Sequence, residues 1–377
     1  MTEFHPRDAQ FSQADYSTLL DSLTHDADGG GRNSADGQDI HTPADKAVHH
    51  QWLKRFVPGI ETLAAKHHLG NWVVDRKTGE KRWESMPIYV RLGMQILYHG
   101  KEQEKLVANA RVEALLKAQS EKQGKAFDSP AQAFEHIDTF VKTYQINCAE
   151  LERPNIADYA TFNEFFYRKL RPDARPPASP GDPKVVSSGA DCRLTLFESV
   201  DAAKEFWIKD QSFTVAKLLQ DDSLSKSFEN GSVVIFRLAP ADYHRYHSPV
   251  SAVVGATKHV AGQYYTVNPC AVNENLPVFT ANKRDVTILS VPQEGNAPLD
   301  LAFVQIGAML VGSIVQTARQ GQNVNRGDEL GYFAYGGSTI VMLVPNGKVE
   351  WDRDLVENSK NKLETAVKVG EQIGRFV

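Results

Sequence analysis

The sequence predicts an α+β protein, with a helical N-terminal domain followed by a mainly antiparallel β domain. Three observations predict it. Apolar residues recur at helical spacing between His49 and about Gln145, a proline-stiffened linker follows at Pro176-Pro177 and Ser179-Pro180, and beyond it the apolar runs become short and β-branched. A change from helical to strand period across a stiff linker marks a change of architecture.

In chain order, residues 1–45 are polar and rich in Gly, Asp and Ser, including Asp28-Gly29-Gly30-Gly31, and are expected to be disordered. Residues 46–150 read as a helical accessory domain. Trp52, Phe56, Ile60, Leu63 and Ala64 share one helical face; Ile88, Leu92, Met94, Gln95 and Ile96 suggest a more buried helix; residues 107–119 repeat the spacing. Asp128-Ser129-Pro130 is a start signal for a helix through Val141, with Ser129 as cap and Pro130 in the first turn. The third unit, residues 151–377, opens on a helix over 161–170 with Phe162, Phe165 and Phe166 facing inward, closed by Arg171-Pro172-Asp173. Strands are expected at 184–187, 193–197, 233–237, 252–260, 286–290, 301–306 and 339–344.

Composition bounds the function. The chain has 377 residues, 41% apolar and 24% charged, the profile of an ordinary globular protein. A formal net charge of -5 gives no reason to expect nucleic acid as a partner. The N-terminus lacks the charged and apolar regions of a signal peptide. The longest apolar run, residues 301–315, is interrupted by Gln305 and too short to span a bilayer. A cytoplasmic, soluble protein is expected, with peripheral membrane contact as the alternative. Cys148, Cys192 and Cys270 stand at no metal spacing, and His49-His50 and His67-His68 read as solvated surface, so no metal is expected.

The chemistry-bearing motif is Tyr335-Gly336-Gly337-Ser338-Thr339, ahead of the apolar run Ile340-Val341-Met342-Leu343-Val344. Gly337 permits strained backbone angles, and the Ser338 hydroxyl could attack its carbonyl and shift the acyl group from nitrogen to oxygen. Elimination and hydrolysis would cut the chain between Gly337 and Ser338 and turn Ser338 into a pyruvoyl group, a covalent ketone cofactor. Alone, a Gly-Gly-Ser-Thr turn is more often hairpin punctuation. Two further segments reverse that weighting: Asp191 in Ser187-Ser188-Gly189-Ala190-Asp191, and the histidines of Tyr243-His244-Arg245-Tyr246-His247. An acid, an imidazole and a hydroxyl are the parts of a relay that activates a nucleophile.

These segments resemble the phosphatidylserine decarboxylase family of pyruvoyl-dependent enzymes. The resemblance runs in family order over roughly residues 160–345, through Phe162-Asn163-Glu164-Phe165-Phe166-Tyr167-Arg168-Lys169-Leu170, Arg175-Pro176, Thr266-Val267-Asn268-Pro269, residues 307–314 and Gly327-Asp328-Glu329-Leu330-Gly331. The longer segment Val324-Asn325-Arg326-Gly327-Asp328-Glu329-Leu330-Gly331 looks like the hairpin of lipoyl-carrier-like folds. The resemblance implies Asp191, His247 and Ser338 as the maturation triad and His244 as the residue serving decarboxylation. Arg245 is a candidate for the substrate carboxylate or for pairing with a nearby acid, and Phe279 for a pocket wall. Self-cleavage implies two associated chains in an oligomer of unknown size.

The Gly336-Gly337 pair, where the phospholipid enzymes usually carry Leu or Val before Gly-Ser, resembles the soluble fungal branch that decarboxylates tryptophan. A free L-amino acid, possibly aromatic, is therefore the leading substrate class, with phosphatidylserine as the alternative. Two other readings use the same residues. A serine hydrolase would take Asp191, His247 and Ser338, but Gly336-Gly337-Ser338-Thr339-Ile340 lacks the closing Gly of a nucleophile elbow. A carrier-like binding domain would have no reason to cleave itself.

Overall fold

The computed structural model describes residues 70–85, 124–125, 127–131, 133–210, 212–263, 265, 267, 272, 277–308, 313–335 and 338–377. The segment 1–45 expected to be disordered, most of the stretch 46–150 expected to be helical and Gly336-Gly337 lie outside the described residues, as do Cys270 and the adjacent histidine pairs.

Within the accessory region one segment departs from the helical expectation. Strands β1 (Gly70–Asp75) and β2 (Lys81–Ser85) form an antiparallel hairpin, with Trp72 opposite Trp83. The two indoles meet edge to face at 5.4 Å. Trp-Val-Val and Lys-Arg-Trp are β-prone runs, and cross-strand aromatic pairs stabilise such ribbons. Helix α1 covers Ala133–Tyr144, starting later than expected because Ser129 caps the amide of Ala131 in a preceding turn.

Helix α2 is Phe162–Phe166, capped by Thr161, whose hydroxyl accepts from the Glu164 amide. It stops five residues in, short of the expected span to Leu170, with Tyr167 leaving helical geometry. Its phenylalanines are buried against α1 and Tyr335. The β domain then runs β3 (Val185–Ser187), β4 (Cys192–Phe197), α3 (Val200–Phe206), α4 (Val215–Leu219), α5 (Asp222–Ser225), β5 (Ser232–Leu238), β6 (Arg245–His247) and β7 (Ala252–Val260). It continues as α6 (Val278–Ala281), β8 (Arg284–Val291), β9 (Leu299–Gly307), β10 (Ile314–Gln316), β11 (Asn323–Val324), β12 (Glu329–Phe333) and β13 (Ser338–Val344). Strand β14 (Val349–Trp351), helix α7 (Arg353–Lys360), β15 (Glu364–Val367) and β16 (Gln372–Phe376) complete it.

A ten-stranded sheet in the order β11-β7-β8-β9-β13-β5-β4-β15-β1-β2 organises the core, antiparallel except where β1 meets β15. All seven strands expected from the sequence are present, five of them longer by one to three residues, β7 as expected and β3 one residue shorter. Two three-stranded sheets, β10-β12-β6 and β14-β16-β3, pack around it. The segment expected as a carrier-like hairpin divides instead: β11 joins β7, whereas β12 lies between β10 and β6. Strand β13 sits mid-sheet with Ile340 to Val344 fully buried, bonded to β5 on one side and β9 on the other. An uninterrupted apolar run suits a strand covered on both faces. Ser338 is its first residue, opposite Leu238 and Gly307.

Candidate active site

The mid-sheet position of β13 fixes Ser338, whose side chain is fully buried. His244 meets it from the segment between β5 and β6. Its Nδ1 lies 3.2 Å from Ser338 Oγ. Its Nε2 faces the carbonyl oxygens of Ala239 at 3.2 Å and Pro240 at 3.4 Å. A carbonyl only accepts, so Nε2 carries the proton and Nδ1 presents a lone pair to the hydroxyl. Phe166 stacks on this ring at 3.9 Å, tying the imidazole to α2. Burial, then the nearby Arg168 guanidinium, push the pKa of His244 down to about 3.

That shift makes an acid-sensitive element. The folded pKa lies below the ordinary histidine value, so the stabilisation is complete above about pH 6.5 and is lost as pH falls toward 3. We expect His244 to remove about 2 kcal/mol of stability between pH 7 and about pH 5. Urea unfolding of the Ser338→Ala chain with and without His244→Gln measures it. An unchanged pH dependence would contradict the assignment.

His247 occupies a different network. Its backbone amide donates to Gly189 O at 2.8 Å, an approach so close that a Cβ at Gly189 would lie 2.8 Å from the His247 carbonyl oxygen. Its Nδ1–H donates to Gly327 O at 2.8 Å, and its Nε2 accepts from the Tyr243 hydroxyl at 3.0 Å. Gly327 presents that carbonyl from a left-handed turn, φ 93°, which favours glycine. Burial lowers the pKa of His247, while the Gly327 carbonyl and the Glu329 and Asp191 carboxylates oppose the shift. Burial pushes the Tyr243 hydroxyl up, so it remains a donor.

Asp191 follows β3 and is 2% exposed. Its carboxylate accepts from Arg175 Nη2 at 2.8 Å, Lys368 Nζ at 3.2 Å and the Val369 amide at 2.9 Å. Burial would raise its pKa, but the Arg175 hydrogen bond and the Lys368 charge outweigh it and hold the group below the usual carboxylate range. The structure thus brings Ser338 and His244 into contact, and places His247 and Asp191 in neighbouring networks with no hydrogen bond between them. Burial raises the thiol of Cys192 well above its ordinary value, as suits an inert core residue.

Arg245 donates to Tyr167 O and to Glu329 Oε1, both at 2.8 Å, which is the acid pairing rather than a free guanidinium. Phe279 is buried in α6 and lines neither of two cavities bordered by Arg168. One of these, about 520 Å³, lies against residues 239–243, with Arg168, Arg193, Asp191 and Lys368 in its wall. Among the described residues no cluster could hold a metal ion, and no helix is long and apolar enough to cross a membrane.

Sequence reasoning missed three contributors. Arg168 donates to the carbonyls of Ala241 and Asp242 and reaches His244 electrostatically. Arg175 clamps Asp191. Asn163 accepts from the Tyr335 amide at 2.8 Å, just ahead of Gly336-Gly337-Ser338 in the sequence. All three stand in motifs noted for resemblance, and that placement was the available signal.

Residues 162–375 match the family described as phosphatidylserine decarboxylase. The chain is 42% identical over 305 residues to phosphatidylserine decarboxylase proenzyme 3 of Schizosaccharomyces pombe, covering 81% of this chain and 31% of that protein. It is 43% identical over 330 residues to proenzyme 2 of Saccharomyces cerevisiae, covering 86% and 28%. The proenzyme of Fusobacterium nucleatum is 37% identical over 301 residues, covering 80% and 96%. The chain therefore spans about a third of the length of the fungal relatives and nearly all of the bacterial one.

Proposed function

Because this chain belongs to the phosphatidylserine decarboxylase family, we propose that it is a self-cleaving, pyruvoyl-dependent carboxy-lyase. The observation that carries the reading is the buried Ser338 hydroxyl at the head of β13, in contact with His244 and directly after Gly336-Gly337. Attack of Oγ on the Gly337 carbonyl forms an ester as the bond to the Ser338 nitrogen breaks. Loss of the Ser338 α-proton then expels the Gly337 carboxylate, and one water converts the remaining enamine to a pyruvoyl group and ammonia. A buried serine that heads a strand and follows two glycines fits that precursor. When formed, the ketone supplies an electron sink for decarboxylation.

The surroundings divide the histidines. His247 is flanked by the Glu329 and Asp191 carboxylates, which favour its protonated form, whereas Arg168 and Arg193 penalise a proton on His244. A base with a pKa far below the working pH is a poor proton acceptor. In this proposal His244 holds the hydroxyl in the uncut chain; as attack begins Oγ turns to the Gly337 carbonyl and its proton goes to His247, and Asp191 stabilises the resulting imidazolium through space. After cleavage His244 faces the new cofactor, where it serves protonation of the product carbon. Strand β13 lies between β5 and β9, so the segment 338–377 stays bound to the rest as a second chain.

Phosphatidylserine is the proposed substrate in place of the free amino acid, because the relatives' names point to it. The cavity beside residues 239–243 has a charged wall suited to a polar headgroup, and its size lies in the range of small-ligand sites. The Gly336-Gly337 pair still makes free tryptophan the competitor to assay. We expect carbon dioxide release from phosphatidylserine vesicles and none above background from tryptophan. Efficient decarboxylation of a free amino acid with inert vesicles would overturn the substrate and leave the pyruvoyl chemistry standing.

A further inference from the structure

Asn163 is buried on α2, 5% exposed, and joins three separate parts of the chain. Its Oδ1 accepts from the Tyr335 amide at 2.8 Å, and its Nδ2 donates to Asp128 Oδ1 at 2.7 Å. Tyr335 is the last described residue before Gly336-Gly337. Its ring meets Phe127, the neighbour of Asp128, at 4.3 Å and Phe166 at 5.0 Å. Phe166 in turn stacks on His244. The backbone entering the glycine pair and the ring touching Ser338 are thus held by one short helix.

Glycines impose little order of their own on a turn. Attack of Ser338 on the preceding carbonyl needs that carbonyl in a narrow range of positions, and small misplacement costs rate steeply. We infer that Asn163 is a positioning residue for chain cleavage, holding the Tyr335 backbone just ahead of the glycine pair while Asp128 fixes the orientation of its own amide. The inference rests on the self-cleavage reading and adds the segment around Asp128 to the maturation machinery. Asp128 determines which end of the Asn163 amide faces Tyr335, since a carboxylate accepts only from the NH₂ group.

Pulse-chase translation in vitro tests this, following release of the 338–377 fragment, which Met342 labels. Asn163→Ala should slow release about 10-fold or more. Asn163→Asp should also be slow, since it sets two carboxylates against each other. Asp128→Asn should stay within a few-fold of wild type, because an amide oxygen can still accept from Nδ2. The pair Asn163→Asp/Asp128→Asn reverses the polarity and should restore the rate of Asn163→Asp to near wild type, a rescue that lost packing would not produce. Release from Asn163→Ala at the wild-type rate would overturn the inference, as would a folded pair no faster than Asn163→Asp. If the pair variant does not fold, the Asn163→Ala rate decides alone. If wild type itself stays uncut, the self-cleavage reading fails first.

Discussion

Ser338→Ala should leave one intact chain and reduce decarboxylation to background. The substitution removes a single oxygen from a fully buried side chain at the head of β13. Its cost to the fold is that of one hydrogen bond to His244, about 1 kcal/mol. The chemical cost is total, because the oxygen is both the nucleophile and the source of the ketone. Gel mobility and carbon dioxide release measure the two consequences. A cut Ser338→Ala chain would place the reactive group elsewhere.

The second large effect concerns Asp191 and the histidines. Asp191→Ala leaves Arg175 and Lys368 facing a site without its carboxylate, although Arg175 keeps Glu150 at 2.8 Å. Removing one member of a buried ion pair costs about 3–5 kcal/mol, and the remaining Glu150 places this case near the lower end. We expect Asp191→Ala to be less stable and largely uncut, since the charge that favours protonated His247 is gone. His247→Ala should also remain uncut, whereas His244→Ala should be cut and turn over poorly. The contrary pattern, with His244→Ala uncut and His247→Ala cut, would mean that the contact in the uncut chain identifies the base and that electrostatics do not.

The legible parts of this protein were those written in local pattern. Strand β13 is a continuous apolar run and β7 a β-branched one, and both were placed from residue type alone. The β1–β2 hairpin was hidden because Trp72 and Trp83 are half-exposed and its partner strand, β15, lies almost three hundred residues away. The site divided in the same way. Asp191, His244, His247 and Ser338 were legible as residue types in family order. Their pairing was not, because a linear order says nothing of Lys368 beside Asp191, 177 residues distant, or of Gly327 turning a carbonyl toward His247. The end of α2 was misjudged for a related reason. Residues 167–170 look helical, but Arg168 turns to hold the carbonyls of Ala241 and Asp242.

The most direct test is the mass of the small fragment from the purified wild-type chain. Self-cleavage with pyruvoyl formation predicts residues 338–377 blocked at the N-terminus, lighter than the serine-headed peptide by the difference between serine and pyruvoyl. Edman degradation of that fragment should give no sequence. A fragment reading Ser-Thr-Ile, or a chain that stays whole, would contradict the account.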